Sequence, residues 1–282
     1  MTTVLAVDVG NTNIVVGVYD NAKLLRTWRL ATVHDRTEDE LAVSLDGLLA
    51  QEDLALAELG AVVVGSVVPP LTQAFTRLAE RYLERPAFVI GPGIKTGVRL
   101  RVDNPAEVGA DRIANTLAAH RRYGLARTRP GPQVTGEDER RPEERSDYGG
   151  TSVVVVDFGT TTNFDVVSED GDFLGGSFAP GLEVSAEALF GRASRLFRVA
   201  LTPPAAAIGK NTADCLRSGI VFGYVGLVEG LLARIIAELP SAPRVIATGG
   251  LASTIAPLAK GIESVDEDLT LEGLRLLYEL NA

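Results

Sequence analysis

Two short stretches of this chain carry the residue types that phosphate chemistry uses, at matching spacing. The first is Asp8-Val9-Gly10-Asn11-Thr12-Asn13 and the second is Asp157-Phe158-Gly159-Thr160-Thr161. In each, a glycine permits a tight turn and lets a ligand come close to the backbone. Successive turn N–H groups and the Thr12 hydroxyl can donate to phosphate oxygens, while Asp8 can hold a hydrated Mg²⁺. A single copy reads equally well as an Asx-type hairpin turn with no ligand. Two copies are what clamping both ends of a polyphosphate requires.

A third stretch, Asp103-Asn104-Pro105-Ala106-Glu107-Val108-Gly109-Ala110-Asp111-Arg112, offers different chemistry. Gly109-Ala110 opens a helix and places Asp111 and Arg112 in its first turn. An acid there suits the helix dipole, so a capping acid beside a surface arginine accounts for the pair. The pair also suits catalysis. Asp111 would accept the proton of an attacking hydroxyl, and Arg112 would hold an anionic substrate, typically a carboxylate, through paired hydrogen bonds. Two weaker motifs follow. Thr248-Gly249-Gly250 lies between a strand and a helix and lets a flat ring or sugar approach the backbone. Gly209-Lys210-Asn211-Thr212 precedes a long helix, with Asn211 or Thr212 as its N-cap.

The elements that must position these residues repeat. Val4–Asp8 and Val153–Asp157 are apolar runs entering the two turns, and each is followed by a second apolar run and a polar turn. Short β-branched runs closed by Gly and Asn read as strands in hairpins. Leu24–Leu30 and Phe173–Phe178 supply a third strand to each set. Further buried strands are expected at Ala61–Ser66, Ala87–Ile90 and Arg244–Thr248. Helical patterns cover Glu38–Ala50, Leu71–Leu83, Ala110–Tyr123, Glu183–Phe190, Ala213–Leu239 and Leu271–Leu280. The fold class is therefore α/β, built from two related domains at 1–126 and 151–282. Between them the stretch 127–150, with Arg127–Tyr148 rich in Pro, Gly and mixed charge, reads as a flexible insert unable to bury enough surface to order itself. On the long helix, Gly219, Gly223, Gly226 and Gly230 share one face, which implies close packing against another helix, internal or from a second subunit.

The sequence has 282 residues with 27 Lys+Arg against 37 Asp+Glu, a formal charge of −10. That length fits two ordinary domains. A hydrophobic content of 46% with 23% charged residues excludes wholesale disorder. The acidic balance argues against nonspecific nucleic-acid binding. Cys215 is the one cysteine, which forbids an internal disulfide and fits a reducing compartment; with only His34 and His120 beside it, zinc chemistry lacks ligands. His34 and His120 read as surface or packing residues, and Trp28 and Cys215 as packing residues. No Gly-x-x-x-x-Gly-Lys-Ser/Thr loop occurs, so the P-loop class is excluded. Met1–Asp8 has no basic n-region, and Glu229 and Arg234 interrupt the apolar stretch Gly219–Ile236, so the expectation is a cytoplasmic protein rather than an exported or membrane one.

Taken together, Asp-x-Gly-Asn-Thr, Ser66-Val-Val-Pro-Pro70, Asp-Asn-Pro-x-Glu-Val-Gly-Ala-Asp-Arg, Val-Asp-Phe-Gly-Thr, Gly175-Gly-x-x-Ala-Pro-Gly181, Gly-Lys-Asn-Thr and Ala-Thr-Gly-Gly-Leu resemble type III pantothenate kinase. That family belongs to the superfamily of acetate and sugar kinases, heat-shock chaperone ATPases and actin. The resemblance implies two duplicated ribonuclease H-like (actin-like ATPase) domains with a nucleotide cleft between them. It implies ATP-dependent phosphorylation of pantothenate, the first step of coenzyme A synthesis, by a homodimer that needs K⁺ or NH₄⁺ and Mg²⁺ with its ATP. By the same resemblance, Asp8, Val9, Gly10, Asn11, Thr12, Asn13, Ile14 and Val15 bind ATP, with Asp8 supporting Mg²⁺. Gly109, Ala110, Asp111 and Arg112 contact pantothenate, Asp111 being the general base. Asp157 holds the monovalent cation, Thr160 touches ATP and Thr212 touches pantothenate. The chain departs from the family pattern at Thr161, Asn163 and Val102. The competing reading is a catalytically idle regulator of the Bvg accessory factor kind, which would not need a base beside an anion clamp.

Overall fold

The computed structural model describes residues 3–125, 150–193 and 196–282. It divides into two compact units. The first is built on β1 (Thr3–Val9), β2 (Asn13–Asp20), β3 (Lys23–Ala31), β4 (Ala61–Ser66) and β5 (Phe88–Val89). Its sheet order is β3-β2-β1-β4-β5, an antiparallel meander extended by two parallel strands. Side chains alternate across a strand, so β1 sends Leu5, Val7 and Val9 to one face and Val4, Ala6 and Asp8 to the other. The first face is buried under α1 (Glu38–Leu49) and α2 (Pro69–Tyr82), where Leu41, Leu45, Phe75 and Leu78 complete the core. Trp28 packs against the same core. On the second face lie Ala114 and Leu117 of α3 (Ala110–Ala119).

The second unit repeats the plan with β6 (Val153–Phe158), β7 (Thr161–Val167), β8 (Phe173–Pro180), β9 (Arg244–Thr248) and β10 (Ser264–Val265). The order β10-β9-β6-β7-β8 is that of the first sheet, again with three antiparallel strands and two parallel ones. Between β8 and β10 come α4 (Leu182–Arg192), α5 (Thr212–Glu238) and α6 (Ala252–Ile255). Val154, Val156, Phe158 and Phe164 pack against Tyr224, Val225, Val228 and Leu232 of α5. The duplicated α/β plan expected from the two hairpin motifs is thus present strand for strand.

The last helix, α7 (Leu269–Glu279), returns to the first sheet. Its apolar face fits there because two strands lack side chains at the contact. A β-carbon on Gly17 would stand 2.8 Å from a Leu271 methyl, and one on Gly65 would stand 2.7 Å from a Leu274 methyl. The units therefore follow packing rather than chain order. The first takes Asp268–Ala282 as well as Asp103–Ala118, and the second takes Arg99–Val102 and Ala119–Glu267. Arg127–Tyr148 lies outside the described residues.

One helix also ends early. The pattern Ala110–Tyr123 is α-helical only to Ala119, after which His120–Gly124 forms a π-helical turn. The His120 ring sits where β-carbons on Gly124 and Gly171 would otherwise go, 2.8 and 2.7 Å from its atoms. Two glycines make room for one imidazole, and the helix widens to place it.

Candidate functional site

Asp8 and Gly10 sit where β1 gives way to its turn. Asp8 pairs across the sheet with Val15 of β2 and with Gly65 of β4. The Gly10 N–H donates to the Asn13 carbonyl at 3.0 Å, and a β-carbon on Gly10 would lie 3.1 Å from that same oxygen. Asn11 and Thr12 are exposed at the tip, whereas Val9 and Ile14 are wholly buried. Of the eight residues expected to meet ATP, Val9 and Ile14 can therefore offer only main-chain atoms.

Asp8 shares its sheet face with α3, the helix that carries Asp111 and Arg112. Ala110, Ile113, Ala114 and Leu117 of α3 pack into the cluster that contains Val4 and Ala6, the two residues preceding Asp8 on that face. The motif before α3 is a built launching turn. The Asn104 side chain accepts from the Ala106 N–H at 3.3 Å and donates to the Glu107 carboxylate at 2.7 Å. The Val108 N–H then donates to the Pro105 carbonyl at 3.3 Å. From there Gly109 starts α3, its carbonyl accepting from the Ile113 N–H at 3.2 Å. A β-carbon on Gly109 would stand 2.4 Å from Oδ1 of Asp111, so the carboxylate folds back over the glycine. Asp111 and Arg112 are half-buried, and the Arg112 carbonyl accepts from the Thr116 hydroxyl at 2.8 Å. An acid in the first turn also meets the positive end of the helix dipole.

In the second unit, Asp157 pairs with Asn163 of β7 and Thr248 of β9. The Gly159 N–H donates to the Thr161 carbonyl at 3.0 Å, closing a hairpin one residue shorter than the first. Thr160 is exposed at its tip. Thr161 donates its hydroxyl to the Asn163 side-chain oxygen at 2.8 Å, so the two departures from the family pattern engage each other. Asp157, Asn163, Asp165 and Thr248 share one sheet face by register, opposite the α5 core, and all four offer oxygen. Gly249, with φ of +90°, turns the chain directly against the Asp157 carboxylate.

Thr162, on the other face of β7, hydrogen-bonds to the Tyr224 hydroxyl and ties the hairpin to α5. Burial, opposed by this bond and by a main-chain contact at Leu182, raises the Tyr224 pKa, so the phenol stays protonated. At the start of α5, Asn211 is the N-cap. Its side-chain oxygen accepts from the Asp214 N–H at 2.9 Å, leaving Thr212 as the first helical residue and exposed. Cys215, expected in packing, is exposed instead, its Sγ 3.4 Å from the Gly209 carbonyl. Neither Tyr224 nor Thr32, whose hydroxyl donates to the Gly10 carbonyl at 2.7 Å, stood out in the sequence, because each bonds to a hairpin distant in the chain.

The chain matches the family model described as type III pantothenate kinase over residues 4–128 and 143–234. It is 48% identical over 277 residues to the type III pantothenate kinase of Geobacter sulfurreducens, covering 98% of each chain. It is 46% identical over 277 residues to that of Anaeromyxobacter sp. (strain K), covering 98% of this chain and 99% of the other. Among solved structures, its fold is similar to (R)-2-hydroxyglutaryl-CoA dehydratase component A from Acidaminococcus fermentans, with a TM-score of 0.53 at 12% identity over 99% of this chain and 97% of that one. The activator of 2-hydroxyisocaproyl-CoA dehydratase from Clostridium difficile gives a TM-score of 0.51 at 10% identity, covering 99% of this chain and 94% of that one.

Proposed function

The chain belongs to the type III pantothenate kinase family, and from that premise we propose how its residues divide the reaction. The reaction is the ATP-dependent phosphorylation of pantothenate, the first step of coenzyme A biosynthesis. A primary hydroxyl is too weak an acid to attack phosphorus unaided. Asp111 takes its proton as the oxygen bonds to the γ-phosphorus. The bond from that phosphorus to the bridging oxygen breaks, and ADP leaves with the electron pair. Arg112 pairs with the pantothenate carboxylate through its planar fork of donors, fixing which end of the substrate faces Asp111. Gly109, Ala110 and Thr212 complete the contacts to pantothenate.

The observation that carries this reading is the placement of α3. Its launching turn presents the Asp111 carboxylate over Gly109, in the layer that covers the Asp8 face of the first sheet. ATP phosphates meet the turn Asp8–Val15 through its main-chain groups and the Thr12 hydroxyl; Thr160, exposed at the tip of its own hairpin, is likewise assigned to ATP. Among the described residues no three His, Cys, Asp or Glu side chains come together as a metal cage. Asp8 fits a Mg²⁺ whose remaining ligands are phosphate and water. The face around Asp157, where Asn163, Asp165 and Thr248 also offer oxygen, fits K⁺ or NH₄⁺. When bound, these cations neutralise the charge that moves onto the leaving phosphate.

We further propose a cytoplasmic homodimer formed through α5. That helix is long and apolar enough to cross a membrane by length and composition, with 28% of its most apolar window buried. Glu229 and Arg234 lie within it, and a second copy of the chain covers such a face better than lipid does. The deciding assay is ADP release by purified protein with ATP and pantothenate, with K⁺ or NH₄⁺ added and withheld. Stimulated turnover that Asp111→Asn abolishes supports the assignment. Near-normal turnover in Asp111→Asn removes the base assignment, and activity indifferent to both cations removes the role of Asp157.

A further inference from the structure

Thr32 belongs to none of the sequence motifs, yet it is bonded twice to the turn at Gly10–Thr12. Its hydroxyl donates to the Gly10 carbonyl at 2.7 Å, and its main-chain N–H donates to the Thr12 carbonyl at 3.0 Å. Each trans peptide points its carbonyl and its N–H in opposite directions. Fixing the Gly10 carbonyl toward Thr32 therefore turns the Asn11 N–H away from it, and fixing the Thr12 carbonyl does the same for the Asn13 N–H. The donors that a phosphate would use are aimed by bonds made on the far side of the turn.

The second unit makes the same latch with a different residue. Asn13 pairs with Ala31 at the end of the β2–β3 ladder, and Thr161 pairs with Pro180 at the end of the β7–β8 ladder. Thr32 and Gly181 are thus equivalent, each the next residue after its third strand. The Gly181 N–H donates to the Thr160 carbonyl at 3.1 Å. No side chain fits there, since a β-carbon on Gly181 would lie 2.4 Å from the Thr160 oxygen and 2.6 Å from the Gly159 oxygen. Both copies keep the main-chain latch, and the first adds a hydroxyl that reaches the turn's glycine.

We infer that Thr32 is a positioning residue for ATP, holding the first hairpin so that its N–H groups face the phosphates. This rests on the reading of Asp8–Val15 as the phosphate site. Thr32→Val keeps the branched shape and the main-chain bond while removing the hydroxyl, and Thr32→Ser restores it. Steady-state rates are measured with ATP varied at saturating pantothenate and then the reverse, with Asp8→Asn in parallel. The expected result is a KM for ATP raised roughly fivefold in Thr32→Val, the scale of one lost hydrogen bond. The KM for pantothenate and the melting temperature stay at wild-type values, and Thr32→Ser recovers the KM for ATP. If Asp8→Asn loses turnover while Thr32→Val keeps the wild-type KM for ATP, the turn binds ATP and Thr32 does not position it, which overturns the inference alone. If both variants match wild type, the reading of the turn falls and takes the inference with it. Equal rises in both KM values with a lowered melting temperature mark Thr32 as a general structural residue and also overturn it.

Discussion

The Asp157 carboxylate occupies the space where a side chain at Gly249 would begin. A β-carbon there would stand 2.4 Å from Oδ1 of Asp157 and 2.7 Å from the Phe158 nitrogen, at a φ of +90°. Gly261 has nearly the same backbone, φ of +92°, with nothing within 4 Å of its β-carbon position. Alanine at either position therefore costs about 1–2 kcal/mol of backbone strain. Only Gly249→Ala also displaces the carboxylate proposed to hold the monovalent cation. Both variants should melt at lower temperature, whereas only Gly249→Ala should need more K⁺ or NH₄⁺ for half-maximal turnover. A shared cation response would separate Asp157 from that role.

Gly109 and Asp111 have a similar relationship with a different consequence. The atom in the way of a Gly109 β-carbon is the free end of the Asp111 side chain, 2.4 Å off, and that end can swing aside. Gly109→Ala should fold with a stability change within about 0.5 kcal/mol. Its kcat should fall by about a hundredfold, toward the loss expected when a general base is removed. Measuring kcat and melting temperature together tests this. A kcat near wild type would mean that the observed carboxylate position is not the working one.

Which parts were legible in the sequence follows from the range of each interaction. The β1–β2 and β6–β7 hairpins could be read because a valine run, a glycine and a polar tip are local signals with local causes. Asp111 and Arg112 could be placed on the first turn of α3 for the same reason. The destination of α7 could not, because it depends on Gly17 and Gly65 leaving room for Leu271 and Leu274 far along the chain. The early end of α3 also escaped, since it depends on Gly171 in another hairpin accepting the His120 ring. Thr32 was hidden because a threonine after a strand has no signature until its hydrogen-bond partners are known.

His120 links that packing to pH. Burial is the main cause holding its pKa below the usual 6.5, with Arg121 adding to it and Asp170 and Asp172 opposing. Its Nδ1 is buried and has no hydrogen-bond partner among the described residues. An unfolded chain then takes up the proton at higher pH than the folded one. The stability that neutral His120 contributes is present above about pH 6.5 and is lost as the pH falls through its lowered folded value. Melting temperatures should drop over this range in the wild type, and less steeply in His120→Gln. Parallel profiles for the two proteins would show that other groups carry the acid sensitivity.

The homodimer proposed through α5 can be tested on the exposed face of that helix. Gly219, Gly223 and Gly226 are exposed, and no atom of the described residues outside the local backbone lies within 4 Å of a β-carbon built on any of them. Glycine inside a helix costs about 1 kcal/mol relative to alanine, so three that touch nothing destabilise an isolated chain. Their cost is offset if a second α5 approaches closely along this stripe, where even one methyl would hold the helices apart. Gly223→Ala should therefore raise the stability of a single chain while weakening its self-association, and Gly223→Glu should place a charge in the contact and abolish it. Sedimentation of wild type and both variants across concentration reads the two effects separately. A wild type that stays monomeric at enzyme concentrations giving full activity would remove the dimer from the proposal. A dimer equally tight in Gly223→Glu would move its interface off α5.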